Sequence, residues 1–204
     1  RNAAGTLELG GTLLYTRFDA PLLRSPRRYN QFEFKGTENL NVGFHGSYVW
    51  QNFNLFAEAA RSGSGGVGAV AGVLGGFSEK LSLSLLWRHY DRHFHSFYGN
   101  AFGESTRNIN ESGVYWGLKF NPTRRVTFTA YYDTYRFPWL RYRVDAPSDG
   151  FDYLLRLAYR PSKKLLLYAQ YREEHRDRNP PNPMAPIHVP TRTMRQQYLL
   201  NVDV

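Results

Sequence analysis

From Glu111 to His175 the chain reads ESGVYWGLKFNPTRRVTFTAYYDTYRFPWLRYRVDAPSDGFDYLLRLAYRPSKKLLLYAQYREEH, and this stretch decides the fold. Four runs within it alternate apolar and polar residues. Val114, Trp116, Leu118 and Phe120 are separated by Tyr115, Gly117 and Lys119; Val126, Phe128, Ala130 and Tyr132 alternate with Thr127, Thr129, Tyr131 and Asp133. Phe151, Tyr153, Leu155, Leu157 and Tyr159 alternate with Asp152, Leu154, Arg156, Ala158 and Arg160. Leu165, Leu167, Ala169 and Tyr171 alternate with Leu166, Tyr168, Gln170 and Arg172. A period of two places each set on one face of a strand. The apolar face carries no charge in any run, and the opposite face carries several.

Connections between the runs are unequal. Asn121-Pro122-Thr123-Arg124 and Pro161-Ser162-Lys163 read as tight turns, with proline pre-set for a turn position. The alternate connections, residues 136–150 and 175–190, are long and irregular. The same parity extends toward the amino terminus. Strands are expected at Leu7 to Tyr15, Leu40 to Tyr48, Phe53 to Ala60, Val67 to Phe77 and Leu81 to Tyr90, and a last one from Thr193. Residues 16–37 and 91–110 form long loops, 61–66 a short glycine-rich connection, and 49–52 and 78–80 tight turns. About ten strands result, each near the roughly 9–11 residues that a tilted membrane-spanning strand needs. Short turns on one side and long loops on the other are the layout of an outer-membrane β-barrel. The expected fold is therefore all-β, an antiparallel transmembrane β-barrel that occupies residues 1–204 and forms part of a larger barrel, with flanking parts of the protein outside this sequence.

Composition bounds the alternatives. The 204 residues include no cysteine, which excludes a disulfide scaffold, thiolate metal sites and a cysteine nucleophile. No segment holds the roughly 18 uninterrupted apolar residues of a spanning helix. Aromatic residues make up 16% of the chain, which fits ring girdles at two membrane interfaces. Several stand near expected strand ends: Tyr15, Tyr48, Trp50, Phe53, Trp87, Phe120, Tyr132, Tyr159 and Tyr171. The net charge of +9 fits anionic headgroups and lipopolysaccharide, and a nucleic-acid surface would carry the same sign. The rival fold is a soluble closed barrel with its apolar residues inside. Alternation by itself does not separate inside from outside. In the membrane reading the polar face lines a lumen of Glu58, Arg88, Lys119, Asp133, Arg156, Gln170, Arg172 and Glu174.

Other candidate sites stand beside plainer readings. Gly66 to Ala71 loosely matches a dinucleotide fingerprint but lacks the following helix, so small residues at a close strand approach explain it better. His89, His93 and His95, near Asp91 and Glu104, are the densest potential metal ligands, but residues of these types at the start of a long loop usually just solvate it, and no metal or other cofactor is expected. A rim hydrolase would draw on Asp91, His93, Ser96, Glu104, Ser105, Asp145 and Ser148, yet no G-x-S-x-G motif is present. The proline-rich stretch 179–190 reads as a stiff surface cover.

Two loop strings are more specific: Tyr98-Gly99-Asn100-Ala101-Phe102-Gly103-Glu104-Ser105, and Phe137-Pro138-Trp139-Leu140-Arg141-Tyr142-Arg143-Val144-Asp145-Ala146-Pro147-Ser148. With Asn110-Glu111-Ser112-Gly113 and Gly150, they resemble the barrel region of Bacteroidota envelope proteins that carry competence-type helix-hairpin-helix repeats. The resemblance covers roughly Leu74 to Glu174. It implies the outer membrane of a Gram-negative, Bacteroidota-type bacterium and a role in handling DNA. No hairpin motif occurs in this chain, so DNA contact attaches to no residue. The expected function is a non-enzymatic conduit or scaffold in contact with lipid, lipopolysaccharide and other envelope proteins. The alternatives are a surface module that docks an envelope partner, and a rim hydrolase.

Overall fold

A computed structural model of the chain describes residues 5–181 and 188–203. These residues form ten strands: β1 (Leu7–Leu22), β2 (Gly36–Trp50), β3 (Phe53–Ser62), β4 (Val67–Gly76), β5 (Leu81–Tyr90), β6 (Glu111–Thr123), β7 (Val126–Phe137), β8 (Ser148–Ser162), β9 (Leu165–Arg178) and β10 (Thr191–Asp203). All ten lie in one antiparallel sheet in chain order, each strand paired with its neighbours in sequence. A single 3-10 turn, Arg28–Asn30, interrupts the first long loop. The expected closure into a barrel is not seen in the described residues, since β1 and β10 do not pair with each other. Alternation specifies which face each residue takes, but it does not specify what the two edge strands meet.

The register aligns the alternating runs face to face across the whole sheet. One apolar row runs Leu83, Leu118, Ala130, Leu155, Tyr171 and Tyr198 from β5 to β10. This face is open: Leu13 is 71% exposed, Phe44 70% and Leu200 84%. Rings mark its two margins. Trp50 stacks on Phe53 at 6.0 Å and Phe53 meets Phe77 edge-on at 5.2 Å near the short turns, while Tyr132 and Phe151 lie 5.8 Å apart toward the long loops. The opposite face holds the buried charges, whereas charges on the apolar face include Glu173 and a row at its loop-side margin, Arg136, Asp149, Asp177 and Arg192. Among the described residues only Tyr90, Phe94, Tyr135, Phe137 and Val144 are buried hydrophobics, whereas Arg88, Glu111, Asp133 and Asp152 are buried charges. The apolar residues therefore do not form a shared dry core, which a soluble closed barrel requires.

Several boundaries depart from the expected ones. β1 runs on to Leu22 and β2 begins at Gly36, so the loop expected over 16–37 shrinks to 23–35. β8 likewise begins at Ser148 rather than near Phe151. The β8 extension is polar on both faces. Along β1 the alternation instead continues past Tyr15 but changes face, Phe18, Ala20 and Leu22 alternating with Arg17 and Asp19, and the register shifts beyond Arg17. Pro122 and Pro161 sit inside β6 and β8 at register shifts, not in turns. A bulge tolerates the missing N–H. The turns themselves are Arg124-Arg125 and Lys163-Lys164.

Candidate functional site

The eight residues assigned to a lumen all fall on the charged face, as the strand register requires. Their surroundings differ. Glu58 is exposed although level with Arg88 on the sheet. Toward the short turns, Lys119 and Arg156 are exposed, and Arg156 Nε donates to Gln170 Oε1 at 2.8 Å. Toward the long loops, Arg88 is 0% exposed. Its Nε donates to Glu111 Oε1 at 2.6 Å, and its two terminal nitrogens donate to both oxygens of Asp133 at 2.8 and 3.2 Å. Such a two-pronged pair fixes orientation as well as charge. Two strands over, Arg172 Nε donates to both oxygens of Asp152 at 3.0 Å, and Tyr131 hydroxyl donates to Asp152 at 3.3 Å. Arg176 bridges Glu104 and Glu174. In this layer Arg88, Arg172 and Arg176 face Glu104, Glu111, Asp133, Asp152 and Glu174, so carboxylates outnumber arginines in a chain of net charge +9.

Residues 91–110 lean over this cluster. Phe102 lies 5.2 Å from the Arg88 guanidinium and 5.2 Å from the Tyr115 ring, and its carbonyl accepts from Tyr90 hydroxyl at 2.7 Å. Glu111 ties the loop to the wall, because its carboxylate also accepts the backbone N–H groups of Glu104 and Ser105 at 2.9 and 3.1 Å. Burial pushes the Glu104 carboxyl above the usual range, partly offset by Arg176. The glycine-rich Gly66 to Ala71 proves to be a close approach, as expected. A Cβ on Gly66 would sit 2.1 Å from Phe94 N, and one on Gly68 would sit 2.6 Å from the Phe94 ring.

Above this layer the long loops interlock as a cap. Trp139 packs 5.1 Å from Phe32, exchanges two hydrogen bonds with Asn110 at 2.9 and 3.0 Å, and donates from Nε1 to Arg28 O at 3.2 Å. Arg107 clamps Glu33. Burial pushes Glu33 up, but Arg107, by hydrogen bond and charge, outweighs it and holds the carboxyl below its ordinary range. Of the two loop strings, Phe102 and Glu104 reach the charged face, Phe137 is buried, and Trp139 and Arg141 line the cap. Arg141 lies 3.6 Å over the Phe137 ring, and burial depresses its pKa. Asp145 pairs with His188 at 3.0 Å, and that bond lowers its pKa. Tyr98, Gly99, Asn100 and Pro138 stay at the surface. Pro183 and Pro186 of the proline-rich stretch lie outside the described residues.

The three histidines do not form one cluster. His95 is buried, bonded through Nε2 to Phe32 O at 2.9 Å and through Nδ1 to Ser64 Oγ at 2.7 Å; burial lowers its pKa. His93 packs its ring 4.7 Å from Phe32. His89 instead turns to the apolar face, where it meets Ser112 and Asp91. Of the seven hydrolase candidates only Asp91 finds a histidine and a serine together, and neither of those partners was among the seven. The signal for them was cross-strand register, which spacing along one strand does not carry. Comparison with protein-family models, with curated proteins and with solved structures finds no match to this chain.

Proposed function

We propose that the chain is a wall of an outer-membrane β-barrel, an envelope component in which residues 91–110 cover a polar lumen and the long loops form the cell-surface cap. One observation carries this reading: the apolar face is open while arginine and carboxylate side chains are buried on the other. In water this arrangement exposes an apolar patch far beyond the few hundred Å² a soluble monomer tolerates. In a bilayer it becomes the stable one, because lipid wets the apolar face and ion pairs fill the interior. The basic turns Arg124-Arg125 and Lys163-Lys164 and the ring margins suit headgroup contact.

Conduction or scaffolding is the role this supports, in a Gram-negative outer membrane. The lumen cluster's surplus of carboxylates suits small cations better than a polyanion. A link to DNA uptake, implied by the Bacteroidota resemblance, therefore belongs to the cap or to other domains. The cap favours the partner-docking reading through one feature, a cavity of about 250 Å3 lined by Tyr29, Phe32, Arg92, Arg107, Trp139 and Arg141.

The four tryptophans test the orientation. Trp50, Trp87 and Trp116 lie on the apolar face and Trp139 in the cap. In single-tryptophan variants reconstituted with brominated lipid, Trp116 should be quenched most and Trp139 least. Equal quenching of all four, or none at Trp116, rejects the membrane placement.

A further inference from the structure

At the loop-side margin of the apolar face sits a constellation used by neither the lumen cluster nor the cap. His89 near the end of β5 and Ser112 near the start of β6 are direct cross-strand partners. Ser112 Oγ lies 2.7 Å from His89 Nδ1, and His89 Nε2 lies 3.1 Å from Asp91 Oδ1. The second Asp91 oxygen accepts the Val67 N–H at 3.0 Å. That bond and the His89 contact outweigh partial burial and keep the Asp91 carboxyl below its usual range, hence ionised at neutral pH. The protons follow from these contacts. The Asp91 carboxylate accepts a hydrogen bond from His89 Nε2–H, which leaves the Nδ1 lone pair to accept from the Ser112 hydroxyl. Nucleophile, base and orienting acid are thus in line. The His89 and Asp91 side chains are 39% and 44% exposed, so the site is open to approach.

Its level on the sheet suggests the substrate. His89, Ser112, Arg136, Asp149, Asp177 and Arg192 form one cross-strand row of polar groups. The next row inward begins with Trp87, whose ring stacks parallel to His89 at 6.2 Å. Aromatic side chains favour the headgroup level, beside which the ester carbonyls of a glycerolipid lie. Further down, Leu85, Trp116, Tyr132 and Tyr153 help line an apolar cavity of about 600 Å3, which gives an acyl chain somewhere to lie. Arg136, the exposed partner of Ser112 on β7, sets a cation beside the nucleophile.

We propose that Ser112, His89 and Asp91 form a serine esterase site that cleaves the acyl esters of membrane lipids. The choice of lipid as substrate rests on the membrane reading above; the triad chemistry does not. Ser112 Oγ adds to the ester carbonyl carbon as its proton passes to His89 Nδ1, and Arg136 faces the resulting oxyanion. Collapse breaks the carbon–oxygen bond to the lipid alcohol, which leaves with the Nδ1 proton. Water then adds to the acyl-serine and gives a proton to Nδ1. The bond to Oγ breaks, the fatty acid departs, and Ser112 regains its proton.

The test uses the full chain in detergent micelles, with a fluorophosphonate probe, p-nitrophenyl decanoate, and phosphatidylethanolamine or lipid A in mixed micelles. The probe should label Ser112, located by peptide mass mapping. Fatty acid should be released from at least one lipid, and Ser112→Ala and His89→Phe should each lower the rate by about 10³-fold or more. Ser82→Ala, on the charged face and away from the apolar cavity, should leave it unchanged, and circular dichroism should show all variants folded. Absence of label on Ser112 in the folded native chain, or undiminished hydrolysis by Ser112→Ala, overturns the site. Labelling without release from either lipid overturns the substrate. A labelled Ser112 in a chain whose Trp116 escapes brominated-lipid quenching leaves the triad standing and removes the membrane.

Discussion

Arg88 shows how much one buried residue controls here. Its guanidinium satisfies Glu111 and Asp133 together, and Glu111 in turn holds the Glu104 and Ser105 amides. Removing one partner of a buried pair strands the other, so Arg88→Met should cost about 3–5 kcal/mol, read as a lower urea midpoint in detergent. A double change, Arg88→Met with Asp133→Leu, should recover part of that loss, although Glu111 remains unpaired. An Arg88→Met chain as stable as the native one would show that the cluster is hydrated rather than buried. The facing of Arg88 and Asp133 was legible from parity alone. Glu111 and Ser112 were not, because they precede the alternating run at Val114, where only pairing with β5 reveals which face they take. The same applies to His89, whose neighbours in sequence suggested metal chemistry and whose neighbours across the strand suggest acyl transfer.

The 91–110 loop is the element whose placement the sequence conveyed least. Several contacts that place it are long-range: Phe94 against Gly66 and Gly68, His95 against Phe32 and Ser64, and Glu104 against Arg176. Gly66→Val should dislodge it, because the new side chain would meet the Phe94 backbone, and proteolysis within 91–110 should then accelerate while the strands stay protected. Acid should loosen the same element. Burial depresses the folded-state pKa of His95, so the stability from its neutral form is complete above the ordinary histidine value of about 6.5 and is lost as pH falls through the depressed value. Glu33, held below its ordinary range, adds a second loss at lower pH, from about 4.3 downward. The groups facing His95 are Ser64, Phe32, Phe34, Glu33, His93 and Arg107. Amide protection factors in 91–110, corrected for intrinsic exchange, should therefore fall below about pH 6.5 in the native chain. In His95→Gln the first step should vanish and the Glu33 step remain; two unchanged steps would remove His95 from the cap's acid response.

Across the whole molecule, the alternating runs made strand number and turn parity readable before any coordinates, because period two and tight turns are local signals. Closure, curvature and the state of the lumen are non-local and left no such trace. The proposed membrane placement of the apolar face nonetheless makes a quantitative expectation. Leu118→Arg, in the middle of the apolar belt, should cost about 2–4 kcal/mol in lipid, while Thr134→Arg, closer to the polar row, should cost about 0–1 kcal/mol. Equal penalties would mean that no hydrocarbon gradient crosses this face.

The charged face carries its own consequence at the same scale. Carboxylates outnumber arginines in the layer that residues 91–110 cover, so under the proposed barrel reading any current should be carried by cations. Planar-bilayer recordings of the native chain should show small cation-selective steps, larger in Gly66→Val, where the loop is released. Asp152→Asn should lower the cation preference, since Arg172 then loses its counter-charge. A chain that stays closed at every voltage, with the loop held or released, would leave the charge cluster as structural bracing and make the barrel wall a scaffold rather than a passage.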